Sequence, residues 1–457
     1  MDDDLQSVPR RDDWYEWALT AFYITYITFE WMAVLWRIIP AHIYVSVVVL
    51  SWGLIASLQS VAVNYPMLIF LRLLLGIGEA AFTGVPFYLS FFFKRDELAF
   101  RTAIFISAAP LATTFASSLA WLIIKLGESS PIAPWRMLFL VEGFPSVLVA
   151  AIAWNVVPDS PQTAHYLTPR EKKIARLRLR REEGAAEPRR RGGDDKRAAA
   201  SAAAAATTTA TVAGGLDARD VFSAVRDPVA WMTAAIFFLT NMAYSSLPVF
   251  LPTILTAMGH SPLSAQALAA PPYLVSFILV LAVAHVSDRC RSRGLLVALH
   301  ALASALGYAA LALSEGRGVP AGSMLRYAAV FPAAGGFFGV VVLTVAWAVN
   351  NQASASRRAG GFALLQAVGQ CGPLLGTRLY PDAHAPFYTP GMAVCAVAMV
   401  GVAVLAMGLR LYLARLNRAM DAEEGRGEDA VVEDEEEEGL VGRSREGGAR
   451  YRFRYML

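Results

Sequence analysis

Arg72 and Glu79 stand seven residues apart inside an otherwise apolar stretch, LRLLLGIGEAAF at 71–82. Seven residues is nearly two turns of an α-helix, so a helical stretch presents both side chains on one face, about 10 Å apart. A planar guanidinium in a low-dielectric cavity holds a carboxylate through two parallel hydrogen bonds. A carboxyl group beside it can take up and release a proton. Together they are the parts of a proton-coupled carrier of organic anions. The structural alternative stays open: Arg72 on backbone carbonyls, Glu79 paired to another helix. Charged side chains at membrane depth are costly and mark function by default. Gly76 lies between the two and Gly78 beside them, which lets a second helix or a ligand come close.

The elements that must position this pair are membrane helices. The chain has 457 residues, 56% hydrophobic and 17% charged, where a soluble domain carries roughly a quarter charged residues. The apolar residues gather in runs of about 20, enough to cross ~30 Å of hydrocarbon, rather than the runs of about 10–14 found in buried soluble helices. The expected spans are 14–36, 41–63, 66–91, 102–125, 136–157, 229–256, 268–287, 295–313, 325–349, 360–379 and 389–413. All should be helices, because a lipid-exposed span must satisfy its own backbone.

Charge is segregated, so the net charge of +3 misleads. Lys94, Arg95 and Arg101 follow the third span, Arg289, Arg291 and Arg293 the seventh, and Arg357 and Arg358 the ninth. The segment 159–227 holds about fourteen more basic residues. Alternate threading puts all of them on one side, which the positive-inside rule makes the cytoplasm. The other side carries isolated charges such as Lys125, Arg317, Arg326 and Arg378. The C-terminus is then cytoplasmic and residue 14 external, with Arg10 and Arg11 the one pair that argues otherwise. This pattern is topology rather than a nucleic-acid footprint. The opening MDDDLQSVPRRDD is polar and lacks the pattern of a secretory signal.

Five stretches follow: a polar stub at 1–13, a first membrane half at 14–158, a basic and low-complexity linker at 159–227, a second membrane half at 228–413, and a cytoplasmic tail at 414–457. In the linker, PREKKIARLRLRREE at 169–183 reads as a basic amphipathic helix on the inner leaflet. The run RRRGGDDKR at 189–197 and the Ala/Thr tract at 198–213 read as flexible linker. A second surface helix is expected over 217–227. The tail, with EDEEEE at 433–438 and RSREGGARYRFR at 443–454, reads as disordered.

Other polar groups have weaker signals. Asn241 and Tyr244 on the sixth span, Asn350 and Asn351 closing the ninth, and Gln366 and Gln370 on the tenth can line a cavity or clamp helices together. Tyr273 follows Pro271 and Pro272, a point of helix distortion. Glu30 and Glu142, nearer the span ends, are expected in structural ion pairs or loop contacts. His285 and His300 are expected to be packed and neutral. Gly335/Gly339 and Gly372/Gly376 are spaced for helix packing. Cys290, Cys371 and Cys395 have neither the spacing nor the histidine partners of a metal site or a disulfide framework. No cofactor or metal is expected, and no nucleophile–base pair, phosphate loop or metal spacing suggests an enzyme.

Several stretches resemble one family. YEWALTAFYITYITFE (15–30), RLLLGIGEA (72–80), YLSFFFKRDELAFR (88–101), WRMLFLVEG (135–143) and the PDSP at 158–161 are similar to the allantoate permease family of fungal major facilitator transporters, in the anion:cation symporter group. PTILTAMGHS (252–261), AQALAAPPY (265–273) and SDRCRSRG (287–294) match in the second half. The resemblance covers roughly 14–180 and 216–415. It implies a major facilitator fold, an all-α membrane protein of two six-helix halves around a central cavity. It implies that Arg72 and Glu79 bind substrate and carry the coupling proton, and that Asp288, Arg289 and Arg293 form a cytoplasmic latch between helices.

The chain departs from the family at two points. Eleven spans stand where twelve are expected, and MDDDLQ looks like the link that follows the first helix, so the first helix is expected upstream of this sequence or lost. Gln370 sits where relatives tend to have asparagine. The resulting expectation is proton-coupled symport of a small organic anion by alternating access. Arg72, Glu79, Asn241, Tyr244, Gln366 and Gln370 would contact substrate and Glu79 would carry the proton, in a monomer embedded in the bilayer of the plasma membrane. The alternatives are a proton-antiport exporter and a non-transporting membrane sensor or inactive short product.

Overall fold

The computed structural model describes residue 5 and residues 14–94, 97–127, 132–186, 222–314, 319–352, 355–381, 384, 387–437 and 455–457. Helices α1 (Trp14–Phe29), α2 (Ala41–Leu58), α3 (Tyr65–Phe82), α4 (Val85–Leu89), α5 (Leu98–Ile106), α6 (Ala108–Gly127) and α7 (Pro134–Val156) form the first bundle. A short helix, α8 (Pro169–Ala186), follows outside it. The second bundle holds α9 (Pro228–Ala257), α10 (Pro262–Cys290), α11 (Gly294–Ala312), α12 (Val319–Asn350), α13 (Ala355–Gly369), α14 (Cys371–Gly376) and α15 (Thr389–Glu437). The described residues contain no strand.

Helix is found in each of the eleven expected stretches, but not as eleven unbroken spans. Among the described residues, eight helices are long and apolar enough to cross a membrane, and a pair bent by 45° within α9 makes a ninth. The stretches at 66–91, 102–125 and 360–379 are broken, and a proline follows each break; after α3 it is Pro86, which has no N–H for the Phe82 carbonyl. Pro110 has no N–H to give the Ile106 carbonyl, and the chain turns at Ser107 between α5 and α6. Pro373 likewise leaves the Gly369 carbonyl without its helical donor, and the helix breaks at Gln370. The bend in α9 falls at Pro248, which deprives the Tyr244 carbonyl in the same way. Pro271 and Pro272, by contrast, lie within one continuous helix α10, where Tyr273 is buried.

The core is unevenly divided. The larger apolar cluster packs α9, α10, α11, α12 and α15 and includes Phe337, Phe338, Tyr308 and Trp347, all buried. Gly372 and Gly376 press α14 against the backbone of α9, whereas Gly335 meets Leu279 and Gly339 meets His300. In the first bundle α2 and α7 meet at Gly143, where a Cβ would lie 2.6 Å from the Ser57 nitrogen. Between α1 and α2 the chain tightens into a 3-10 helix over Glu30–Arg37. Its Trp36 indole donates to the Ala81 carbonyl (2.9 Å), and Tyr44 donates to the Met32 carbonyl (2.9 Å).

The basic loops meet at one end. Arg178 of α8 pairs with Glu97, the Phe100 N–H donates to Asp288 Oδ2 (2.7 Å), Arg357 reaches Ser223 (3.0 Å), and Gln352 reaches Asp227 (3.1 Å). His42 and Asp159 pair at 2.8 Å at the same end, a contact that sequence spacing gives no hint of. Helix α8 starts on a capping box, with the Thr168 N–H (2.8 Å) and hydroxyl (2.7 Å) both donating to Glu171. These hydrogen bonds, the backbone one foremost, hold the Glu171 carboxyl below the usual glutamate range.

One expectation fails here. The tail does not begin as a disordered segment, because α15 continues to Glu437; helix once started extends through the Ala-, Arg- and Glu-rich residues that favour it. Of the surface helix expected over 217–227, the described residues 222–224 are helical. Residues 189–213, 217–221, 438 and 443–454 lie outside the described residues, as does the stub except Leu5.

Candidate functional site

Helix α3 is set in register by its start. The Asn64 side chain accepts from the Met67 N–H (2.9 Å) and Pro66 occupies the first turn, where its missing N–H costs nothing. From that origin Leu68, Leu71 and Leu75 form the buried stripe, and Arg72 and Glu79 share the adjoining line of the helix. Both are half-buried.

They line one half-enclosed cavity of about 310 Å³ between α2, α3 and α7. Trp52 and Ala56 of α2 and Gln59 of the 3-10 turn that follows it form one wall, Leu75 lies between the two charged residues, and Phe139, Glu142, Gly143 and Ser146 form the α7 wall. The Arg72 guanidinium lies 5.5 Å from the centre of the Phe139 ring, a cation over an aromatic face. Glu142 is exposed and within electrostatic reach of Arg72. The Gln59 carbonyl oxygen is buried and accepts no hydrogen bond. The glycines admit helices, not a ligand: a Cβ on Gly76 would lie 2.5 Å from the Phe22 carbonyl of α1, and Gly78 faces Ser51 and Trp52 of α2.

The second bundle contributes no residue to the lining of this cavity. Asn241 is buried and donates from Nδ2 to the Gly369 carbonyl (3.3 Å), the group left bare by Pro373. It clamps two helices. Gln366 is buried, with an Oε1 that finds no partner, and Gln370 sits at the break between α13 and α14. Tyr244 stacks edge-on against Phe337 (5.4 Å) and Phe338 (5.3 Å). Tyr23 and Tyr26 of α1 lie within electrostatic reach of both Tyr244 and Glu79. Those two tyrosines were not singled out from the sequence, though their one-turn spacing in YITY was the available signal.

Other expected positions resolve differently. Glu30 is buried and makes no ion pair among the described residues; it accepts from the Thr83 hydroxyl (2.7 Å) instead. Glu142 is a cavity residue rather than a structural ion-pair partner. Asn350 and Asn351 do not line the cavity but lie at the basic end, where their amides hold Met456. His285 packs edge-on to Phe100 (5.6 Å), and His300 Nδ1 bonds the Leu296 carbonyl (2.9 Å). Of the three residues expected to form a latch, Arg293 Nη2 donates to Asp288 Oδ1 (3.0 Å) while Asp288 Oδ2 accepts from the Phe100 N–H of the first bundle, and Arg289 is exposed outside the contact. Among the described residues no group of three or more His, Cys, Asp or Glu is placed to hold a metal ion.

Comparison with known proteins agrees with this architecture. The model of the Major Facilitator Superfamily matches residues 13–377. The chain is 30% identical over 416 residues to the MFS transporter prlL of Fungal sp. (strain NRRL 50135), covering 90% of this chain and 78% of that one. It is 29% identical over 422 residues to the major facilitator-type transporter hxnP of Emericella nidulans, again covering 90% and 78%. The solved structure of the proton:xylose symporter XylE superposes with a TM-score of 0.65 at 14% identity, covering 87% of this chain and 86% of that one.

Proposed function

The chain belongs to the Major Facilitator Superfamily of transporters, and on that footing we propose that it carries a small organic anion across the membrane together with a proton. The carrying observation is the set of residues around one cavity: a guanidinium, two carboxyl groups and a buried amide oxygen without a donor. Arg72 takes the substrate carboxylate in a bidentate contact. Glu79, on the same helix line, exchanges the coupling proton, and Glu142 supplies the second acidic group in reach of Arg72. Gln59 accepts from an N–H of the substrate, which suits amide- or ureide-bearing acids of the kind the allantoate permease resemblance implies.

Residues 14–158 and 228–413 act as the two halves that rock about the midplane. Tyr23 and Tyr26 connect the pair to Tyr244, Gln366 and Gln370 approach the substrate as the second half closes over it, and Asn241 keeps its hold on the Gly369 carbonyl. The basic end faces the cytoplasm under the positive-inside rule, which puts the latch and α8 inside. The protein works as a monomer in the plasma membrane.

The test is uptake of labelled allantoate, nicotinate and pantothenate into cells expressing the chain, with and without a protonophore. Uptake of one of them, abolished when the proton gradient is collapsed, is the expected result. Uptake indifferent to the gradient removes the coupling, and efflux from loaded vesicles in exchange for protons replaces symport by export.

A further inference from the structure

At the basic end, residues Tyr455, Met456 and Leu457 lie against the second bundle and pack on its core. The seat is built from buried polar groups. Asn417 of α15 donates to the Tyr455 carbonyl (2.9 Å) and accepts its N–H (3.0 Å). Asn351 holds Met456 the same way, accepting the N–H (2.8 Å) and donating to the carbonyl (3.2 Å), and the Trp347 indole donates to that carbonyl as well (2.8 Å). The Arg293 backbone N–H donates to a main-chain oxygen of Leu457 (2.5 Å). Arg293 Nε and Asn350 Nδ2 contact the Met456 sulfur at 3.3 and 3.2 Å.

Two asparagine amides that each pair with both polar groups of one residue reproduce the exchange made between neighbouring strands. They read backbone, so they select an extended peptide. Arg293, Trp347, Asn350 and Asn351 are all within 2% of complete burial with the segment in place. Removing it strips partners from amides and an indole, at the penalty of unmet buried donors. Arg293 is also the residue that grips Asp288, and Asp288 receives the Phe100 N–H of the first bundle.

We propose that this seat is a binding site for an extended peptide, that residues 455–457 are its ligand, and that their docking holds the basic end of the transporter shut. The segment fixes Arg293 from behind, Arg293 orients Asp288, and Asp288 ties the two bundles together. Undocking loosens the tie, and the population moves toward a form open at that end. The seat does not depend on what is transported.

The test measures distance rather than uptake, so its failure and a failure of the transport proposal are separate events. The full chain, with Cys290, Cys371 and Cys395 replaced by serine, carries spin labels at Arg101 and Arg289, two exposed positions flanking the latch. Deleting 455–457 is expected to raise the long-distance population roughly fivefold or more, and the peptide Arg-Tyr-Met-Leu added to that variant is expected to reverse it. Asn417→Leu, which leaves Arg293 and Asp288 in place, is expected to act in the same direction. Asp288→Asn combined with the deletion is expected to add nothing further. A distance distribution unchanged by the deletion overturns the proposal; if the deleted chain does not fold, an unchanged Asn417→Leu overturns it instead. Fully additive effects of Asp288→Asn and the deletion overturn the route through Arg293.

Discussion

The two bundles are built from the same kind of apolar helix and differ in what they leave open. In α7 of the first bundle only 17% of the most apolar stretch is buried inside the protein, whereas in α12 of the second it is 78%. The first bundle leaves a cleft between α2, α3 and α7, and Arg72, Glu79 and Glu142 line it. The second closes around Phe337, Phe338 and Tyr308, and its Asn241, Asn350 and Asn351 are spent on holding helices and the segment 455–457. The lesson is that a backbone group left bare by a nearby proline can claim a polar residue in an apolar span, as the Gly369 carbonyl claims Asn241, whereas Arg72 and Glu79, with no proline beside them, face a cleft.

The sharpest way to break this division is at Arg72. Arg72→Lys is expected to lower uptake on the order of 10²-fold at equal membrane abundance, since an ammonium cannot make the planar two-bond contact. Near-normal uptake would end the assignment of the cleft. Next comes Glu79→Gln, for which about tenfold loss of gradient-driven uptake with substrate exchange preserved is expected; Glu142→Gln should fall between it and the unaltered protein. A second-bundle change of similar size reads out elsewhere. Gly372→Val meets the backbone of α9 and is expected to cost about 1–3 kcal/mol by overpacking, lowering Tm by several degrees while uptake per folded molecule stays within about twofold. The smallest effect is expected from Asn241→Leu, near 0.6 kcal/mol for an interhelical hydrogen bond in a membrane. If it abolishes uptake without moving Tm, Asn241 belongs to the site and the contrast between bundles fails.

Much of this was legible because membrane helices obey strong rules. The apolar runs located the helices, and the seven-residue spacing put Arg72 and Glu79 on one line. SDRCRSRG pointed to Asp288 and Arg293. What was not legible depends on pairs of distant segments. Glu142 and Gln59 join Arg72 only because α2 and α7 meet at Gly53 and Gly143, and no local pattern at 142 announces it. Asn350 and Asn351 look like cavity amides until residues 455–457, more than a hundred positions away, are laid against them. The breaks at Ser107 and Gln370 were readable from Pro110 and Pro373, but composition averaged over a window hides a single missing donor.

The 3-10 stretch from Glu30 to Arg37 has a mechanical consequence. Such a helix rises ~2.0 Å per residue against ~1.5 Å for the α form, so rewinding its eight residues would shorten that arm by about 4 Å. The segment is in effect a coiled slack. It joins α1, which carries Tyr23 and Tyr26, to the end where His42 grips Asp159, and trading one winding for the other would slide α1 along its own axis relative to α3, on which it packs at Gly76. Glu30, held by the Thr83 hydroxyl at the seam between the two windings, sits where that trade would begin.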